Sequence, residues 1–253
     1  MDLGLQGKRA IVTGGSRGIG RRVVELLIAE GCDVGFCARD EGQVTEAASA
    51  LSTPGRTVIG GVADVTDGDA LRGWVTATAA ALGGLDILVA NASALGPAAD
   101  EAAWRQGLEV DVLGTVRAVE AAQPFLERSD AAAIVGIAST AGINTVGGVR
   151  AYGGLKAALI NYLSQLSSNL GGLGIRANTV SPGAIYFDGG VWDERKRNTP
   201  DAYAAAVARS PLKRLGTPEE VANAVVFLAS PAAAFISGAN LVVDGAATTR
   251  VQF

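Results

Sequence analysis

Tyr152 and Lys156 stand four residues apart in a helix-forming stretch, and that spacing puts two side chains on one helical face. A phenol titrates near ~10, too high for ready proton exchange at neutral pH, and an ammonium beside it stabilises the phenolate. Ser139, thirteen residues before Tyr152, offers a hydroxyl that can hold a carbonyl oxygen while hydride reaches the carbon. The chain contains no histidine, which removes imidazole acid–base chemistry and most zinc chemistry. Proton transfer is therefore left to Tyr, Lys, Ser, Asp, Glu or Cys, and no metal site is expected.

A second group of residues suits a phosphorylated ligand. Thr13-Gly14-Gly15-Ser16-Arg17-Gly18-Ile19-Gly20 follows a short apolar run, 9–13, and opens an amphipathic stretch, 19–30. Glycines in such a place allow a tight turn, let backbone approach a pyrophosphate, and aim the amides of a helix N-terminus at negative charge. At the end of the second strand, NAD sites carry an acidic residue for the ribose 2′-hydroxyl and NADP sites an arginine. Here the chain reads Ala38-Arg39, with Arg17 in the glycine loop. Two guanidiniums suit a 2′-phosphate by charge and by forked donors. Asp40 competes for the opposite reading but is placed to cap the next helix. NADP is the expected cofactor.

The elements that must hold these groups alternate along the chain. Strands are expected at 9–13, 33–38, 57–62, 86–90, 132–138, 175–180 and 241–243. Helices are expected at 19–30, 41–51, 67–82, 102–127, 151–170 and 219–229, with Pro124 bending the last turn of the fourth. Such alternation predicts an α/β fold, a doubly wound parallel sheet (Rossmann fold) with helices on both faces, in one domain over residues 1–253. Ligands in such sheets bind beyond the carboxyl ends of the strands, where Ser139, the loop 91–96 and the turn 181–188 should gather.

Composition narrows the classes. Apolar residues make up 49% of the chain, and 21 Lys+Arg against 25 Asp+Glu leave a charge of −4. Enough apolar surface is present for a sizeable core, which excludes disorder. No dense basic stripe suggests a nucleic-acid partner. Cys32 and Cys37 read as opposite faces of one strand, too far apart to bridge, so a reducing cytoplasm is expected. The uncharged stretch 221–243 is broken by Asn223, Ser230-Pro231, Ser237-Gly238 and Asn240, which favours helix, turn and strand over a membrane span.

Taken in order, these residues resemble the short-chain dehydrogenase/reductase family, in particular its 3-oxoacyl-carrier-protein reductase-like members, over nearly the whole chain. Thr13-Gly-x-x-x-Gly-Ile-Gly20 is similar to the family's cofactor signature, and Tyr152-Gly-Gly-Leu-Lys156 with Ser139 to its catalytic set. Asp64-Val65 resembles the pair that contacts adenine, and Asn91-Ala92 part of an Asn-Asn-Ala-Gly turn. Pro182-Gly183, continuing to Ile185, resembles the nicotinamide-side turn, and Asp244-Gly245 the C-terminal signature. The resemblance implies that Ser139 orients the substrate, Tyr152 exchanges the proton, and Lys156 tunes Tyr152 and grips the nicotinamide ribose. It implies cofactor contacts from Gly14, Ser16, Arg17, Gly18, Ile19, Gly20, Arg39, Asp64, Val65, Asn91, Ala92, Tyr152, Lys156, Pro182, Gly183 and Ile185. Several positions depart from the pattern: Ala90 and Ser93 replace the outer Asn and Gly of the turn, and Phe187 replaces a threonine. Asp111 stands where the family has the asparagine of a proton relay, and is expected in a catalytic role about 6 Å from Lys156. Gly153-Gly154 weaken the catalytic helix by roughly 1 kcal/mol each relative to Ala.

The resulting expectation is hydride transfer between NADP(H) and a carbonyl or alcohol substrate, most simply reduction of a modestly polar ketone. A 3-oxoacyl thioester reductase and a non-catalytic dinucleotide-binding regulatory protein are the alternatives. Leu95, Ile143, Val146, Tyr186, Phe187 and Trp192 are the expected cleft lining, under a lid at 186–210 whose Arg195-Lys196-Arg197 run reads as a solvated helix face. Val112, Val116, Val119, Leu159, Leu163 and Leu166 make two helices apolar on more than one stripe, which predicts a homotetramer.

Overall fold

The run Arg9–Thr13 (β1) is apolar on both sides, and four of its five residues are buried, as befits a central strand covered on both faces. The computed structural model describes residues 1–96, 98–145 and 148–249. It contains β2 (Asp33–Ala38), β3 (Val58–Val62), β4 (Ile87–Ala90), β5 (Ala133–Ile137), β6 (Arg176–Pro182) and β7 (Asn240–Val243). All pair in parallel, in the order β3-β2-β1-β4-β5-β6-β7. The order reverses between β1 and β4, which opens a crevice at their carboxyl ends. This is the doubly wound sheet that the alternation predicts.

Helices cover both faces. α1 (Gly18–Ala29), α2 (Glu41–Leu51) and α9 (Pro218–Ala229) bury Val23, Leu27, Val44 and Val225 against one side. α3 (Gly68–Ala81), α5 (Gly114–Leu126) and α6 (Ala151–Leu170) bury Leu71, Val75, Val119 and Leu159 against the other. Asp40 accepts a hydrogen bond from the Gln43 N–H at 2.8 Å and so caps α2, as expected. Residues 221–243 divide into the end of α9, a tight turn at Pro231–Ala233 and β7. Among the described residues no helix is long and apolar enough to cross a membrane.

Two sequence expectations change, and one segment gains detail. The single helix expected over 102–127 is α4 (Glu101–Gly107), a wide π-type turn (Leu108–Leu113) and α5. Glycines 107 and 114 bracket that turn and Val110 and Val112 lie within it. These residues lower helix propensity, and the Gly114 N–H reaches back five residues to the Glu109 carbonyl. The segment 186–210 holds two helices, α7 (Val191–Asn198) and α8 (Pro200–Arg209), because Pro200 forces Thr199 out of helical geometry. Cys32 precedes β2 instead of belonging to it; both cysteines are buried and free.

Candidate active site

A cleft of about 1740 Å³ runs along the carboxyl ends of the strands, from Arg39 at the end of β2 to Tyr152 at the start of α6. Gly14 and Gly18, at φ +68° and +58°, turn the chain between β1 and α1, a conformation glycine adopts without strain. Asn91 holds this turn in place. Its side-chain amide donates to the Thr13 and Gly14 carbonyls at 3.1 and 2.9 Å, while Thr13 Oγ1 accepts from the Asn91 N–H at 3.1 Å. The turn after β4 is thus fastened to the turn after β1, across the switch in strand order.

Ser16, Ile19, Gly20, Asp64, Val65, Ala92, Pro182, Gly183 and Ile185 all line the same cleft. Asp64 accepts from the Thr66 N–H at 2.9 Å, and Gly183 donates to the Val243 carbonyl at 3.0 Å. Arg17 and Arg39 line the β2 end and are exposed. Among the described residues neither guanidinium meets a carboxylate, and Arg17 has only a 3.5 Å contact with the Gly189 carbonyl. Two unneutralised guanidiniums beside a glycine turn make a donor set that fits a phosphorylated dinucleotide. Cys37 also borders the cleft, but burial pushes its thiol up to about 12, which removes it as a nucleophile.

Around Lys156 the geometry is tighter than expected. The ammonium is fully buried and donates to the Ile137 carbonyl at 2.8 Å. Asp111 does not lie about 6 Å away: its Oδ1 touches Lys156 Nζ at 2.9 Å, with both side chains 2% exposed. Ser93 Oγ donates to the same carboxylate at 2.6 Å and the Ala94 N–H at 3.0 Å. The two departures at 93 and 111 therefore belong together. The serine hydroxyl and the lysine share Oδ1, and the backbone amide takes Oδ2. An asparagine has one oxygen, so its NH₂ would meet another donor on one of these sides. The wide turn is what presents Asp111 to these partners.

Tyr152 lies over the same ammonium, with Lys156 Nζ 5.6 Å from the ring centroid. Ser139 caps a tight turn at Thr140–Gly142 by accepting from the Ala141 N–H at 3.1 Å, which leaves its hydroxyl hydrogen for another acceptor. Gly153 and Gly154 have steric reasons. A Cβ on Gly153 would sit 2.9 Å from the Ala141 carbonyl oxygen, and one on Gly154 would overlap the Trp104 ring. The helix propensity lost there permits close packing of α6 on α4 and on the Ser139 loop.

The expected lining is corrected in part. Leu95, Ile143, Phe187 and Trp192 border the cleft, and Val146 lies outside the described residues. Tyr186 does not border it: its ring packs edge-on against Tyr203 at 6.2 Å, and its hydroxyl meets Asp193 at 3.1 Å. Phe187 rests on the glycine turn, where a Cβ on Gly18 would come within 2.7 Å of the ring. Arg195 is not a fully solvated residue. It is half-buried, stacks at 4.5 Å over Trp192, and lines the cleft together with Arg150. Sequence reasoning missed Arg150, although its place two residues before Tyr152 was a usable signal.

The family model for enoyl-(acyl carrier protein) reductase matches residues 14–248. The chain belongs to the short-chain dehydrogenase/reductase family. Isoepoxydon dehydrogenase of Penicillium expansum is 39% identical over 100% of this chain and 99% of its own length. The cis-4-hydroxycyclohexanecarboxylate dehydrogenase of Sinomonas cyclohexanicum is 36% identical over 94% of this chain and 96% of its own. An NADPH-bound short-chain oxidoreductase of Pseudomonas aeruginosa, described as containing an atypical catalytic center, superposes with a TM-score of 0.88. It is 33% identical over 96% of this chain and 98% of its own. As a short-chain dehydrogenase/reductase, the chain is an oxidoreductase for small molecules, and the family binds a nicotinamide dinucleotide.

Proposed function

We propose that this protein is an NADP(H)-dependent carbonyl reductase acting on a small ketone, with Ser139, Tyr152, Lys156 and Asp111 as its catalytic group. One observation carries the reading: Ser139, Tyr152 and Lys156 line a single cleft with the glycine turn and with Arg17 and Arg39, whose charges no carboxylate among the described residues neutralises. Asp40, the only acidic residue beside Arg39 in the chain, is spent on capping α2.

When bound, NADPH supplies the hydride. The Ser139 hydroxyl donates to the substrate's carbonyl oxygen and fixes its direction. Tyr152 transfers its phenolic proton to that oxygen, and the Lys156 ammonium stabilises the phenolate that remains. Asp111 and the Ile137 carbonyl hold Lys156 in place. Arg39 and Arg17 would hold the 2′-phosphate, and the Gly18–Gly20 amides at the start of α1 would receive the pyrophosphate. Asp64 and Val65 would hold the adenine end, and Pro182 to Ile185 the nicotinamide end.

The test is NADPH consumption over a panel of ketones, quinones and 3-oxoacyl thioesters, with Tyr152→Phe as control. Turnover in the wild type should fall about 10²–10⁴-fold in the variant while NADPH still binds. Binding of NADPH without turnover of any carbonyl would favour a regulatory protein instead, and a preference for thioesters the carrier-linked alternative.

A further inference from the structure

At the Tyr152 end of the cleft, opposite Arg17 and Arg39, two more arginines face the space a substrate must enter. Arg150 is the residue from which α6 starts, two positions before Tyr152. Arg195 projects from α7, one turn beyond Trp192, on whose ring it stacks. Both line the cleft. Among the described residues, neither guanidinium takes part in an ion pair or hydrogen bond, whereas the nearby Arg197 and Arg214 are tied to Asp193 and Glu220. Burial, together with the positive charge of Arg150, holds the Arg195 pKa below its ordinary value, and the exposed Glu194 only partly offsets this. Two like charges held close on separate elements, one of them half-buried on an indole, repel each other unless an anion lies between them. Leu95, Ile143, Trp192 and Leu215 supply an apolar wall to the same cleft, which Asn144, Glu194 and Arg209 also border.

On the carbonyl-reductase reading above, we infer that Arg150 and Arg195 form an anion-binding subsite, so that the substrate is a ketone with an apolar body and a terminal carboxylate or similar oxyanion. The apolar wall takes the body, Ser139 and Tyr152 take the carbonyl, and the two guanidiniums take the charged end as forked donors. Because Arg195 is carried by α7 and Arg150 by the start of α6, an anion between them also ties these two helices together.

Calorimetric titration of hexanoate and of hexanamide into the NADP⁺-saturated protein tests this without relying on turnover. Hexanoate should bind at least tenfold more tightly than the amide, and an Arg150→Gln/Arg195→Gln double variant should lose that preference. NADPH affinity should be unchanged in the variant. Equal affinities in the wild type, or a preference that survives in the double variant, would overturn the subsite. A double variant that binds NADPH tenfold more weakly would also overturn it and assign the arginines to the cofactor. Kinetics over 4-oxo, 5-oxo and 6-oxo acids and their methyl esters then separate the two readings. Esters reduced as well as acids leave the carbonyl reductase standing without the subsite, whereas tight hexanoate binding with no reduction of either leaves the subsite and removes the reductase.

Discussion

Replacing Asp111 by asparagine deletes one charge from the buried group beside Tyr152 and changes almost no volume. At 2.9 Å from Lys156 Nζ, and with an effective dielectric of about 20, the gross attraction is about 6 kcal/mol. Removal of one partner from a buried pair costs about 3–5 kcal/mol. Asparagine keeps one acceptor, so a loss of about 3 kcal/mol is expected at neutral pH, or a fall in Tm of roughly 6–12 °C for a domain of this size. A second effect is kinetic. The ammonium lies 5.6 Å from the Tyr152 ring centroid, which at the same dielectric couples it to a phenolate charge by about 3 kcal/mol. The carboxylate cancels part of this. Without it the ammonium stabilises the phenolate charge more fully, and alcohol oxidation at neutral pH should become faster, while ketone reduction changes little. The assay is NADP⁺ reduction with a secondary alcohol between pH 6 and 10, for both proteins, with Tm recorded alongside. Superimposable profiles would refute the electrostatic reasoning even if Tm falls. An unchanged Tm would refute the contact itself. Ser93→Gly should lower Tm less and leave the profile nearly in place, since it removes a hydrogen bond and no charge.

Three other outcomes are expected. Arg39→Ala should weaken NADPH binding about ten- to a hundredfold and leave NADH nearly unchanged, as measured by fluorescence titration, because one charge-assisted contact contributes about 1.5–3 kcal/mol. Asp86, buried at the foot of β4, accepts from Arg9 Nε at 2.8 Å and from Ser129 Oγ at 2.6 Å. Burial alone would raise its pKa, but these hydrogen bonds outweigh burial and hold it below the ordinary value. Its stabilising contribution is therefore present above about pH 4 and disappears as pH falls through the lowered value. Arg9→Ala should cost about 3 kcal/mol at pH 7 and flatten the acid side of the stability curve in urea titrations. Light scattering should show a homotetramer at micromolar concentration, and a stable monomer would refute it. Val119, Leu159 and Leu163 are already used in the core, so the case rests on the half-buried Val112 and Val116 and the exposed Trp104 and Leu108.

The sheet was legible because its strands are short, apolar on both sides and separated by periodic helices, a pattern that few other folds accommodate. Ser139, Tyr152, Lys156 and the glycine turn were legible because their spacing is local. What escaped were contacts between segments distant in the chain. Ser93 and Asp111 appeared as two unrelated departures, yet the hydrogen bond between them at 2.6 Å joins the turn after β4 to the wide turn. Arg195 was read as a solvated residue because its own helix is polar; that it stacks on Trp192 and shares the cleft with Arg150 depends on how α7 packs over the rest of the chain. Gly153-Gly154 read as a weakness because helix propensity is a property of one segment, while the Trp104 ring that requires the space comes from another.

The wide turn at Leu108–Leu113 works as a phase adjuster between two rods with separate bearings. α4 is phased against α6, where Gly107 leaves room for the Leu155 side chain, and α5 is phased against α3 and Val65, where Gly114 does the same. An uninterrupted helix advances about 100° per residue, so no regular helix through this span would satisfy both bearings. One residue of slack reconciles them, and Asp111 sits within that slack. Forcing these residues into a regular helix with none removed would improve the backbone hydrogen bonding of the segment and yet turn one rod against its seat by about 100°. Efforts to make this enzyme more heat-resistant by regularising its helices would therefore find their most attractive target at the one place where regularity disconnects Lys156 from its counter-charge.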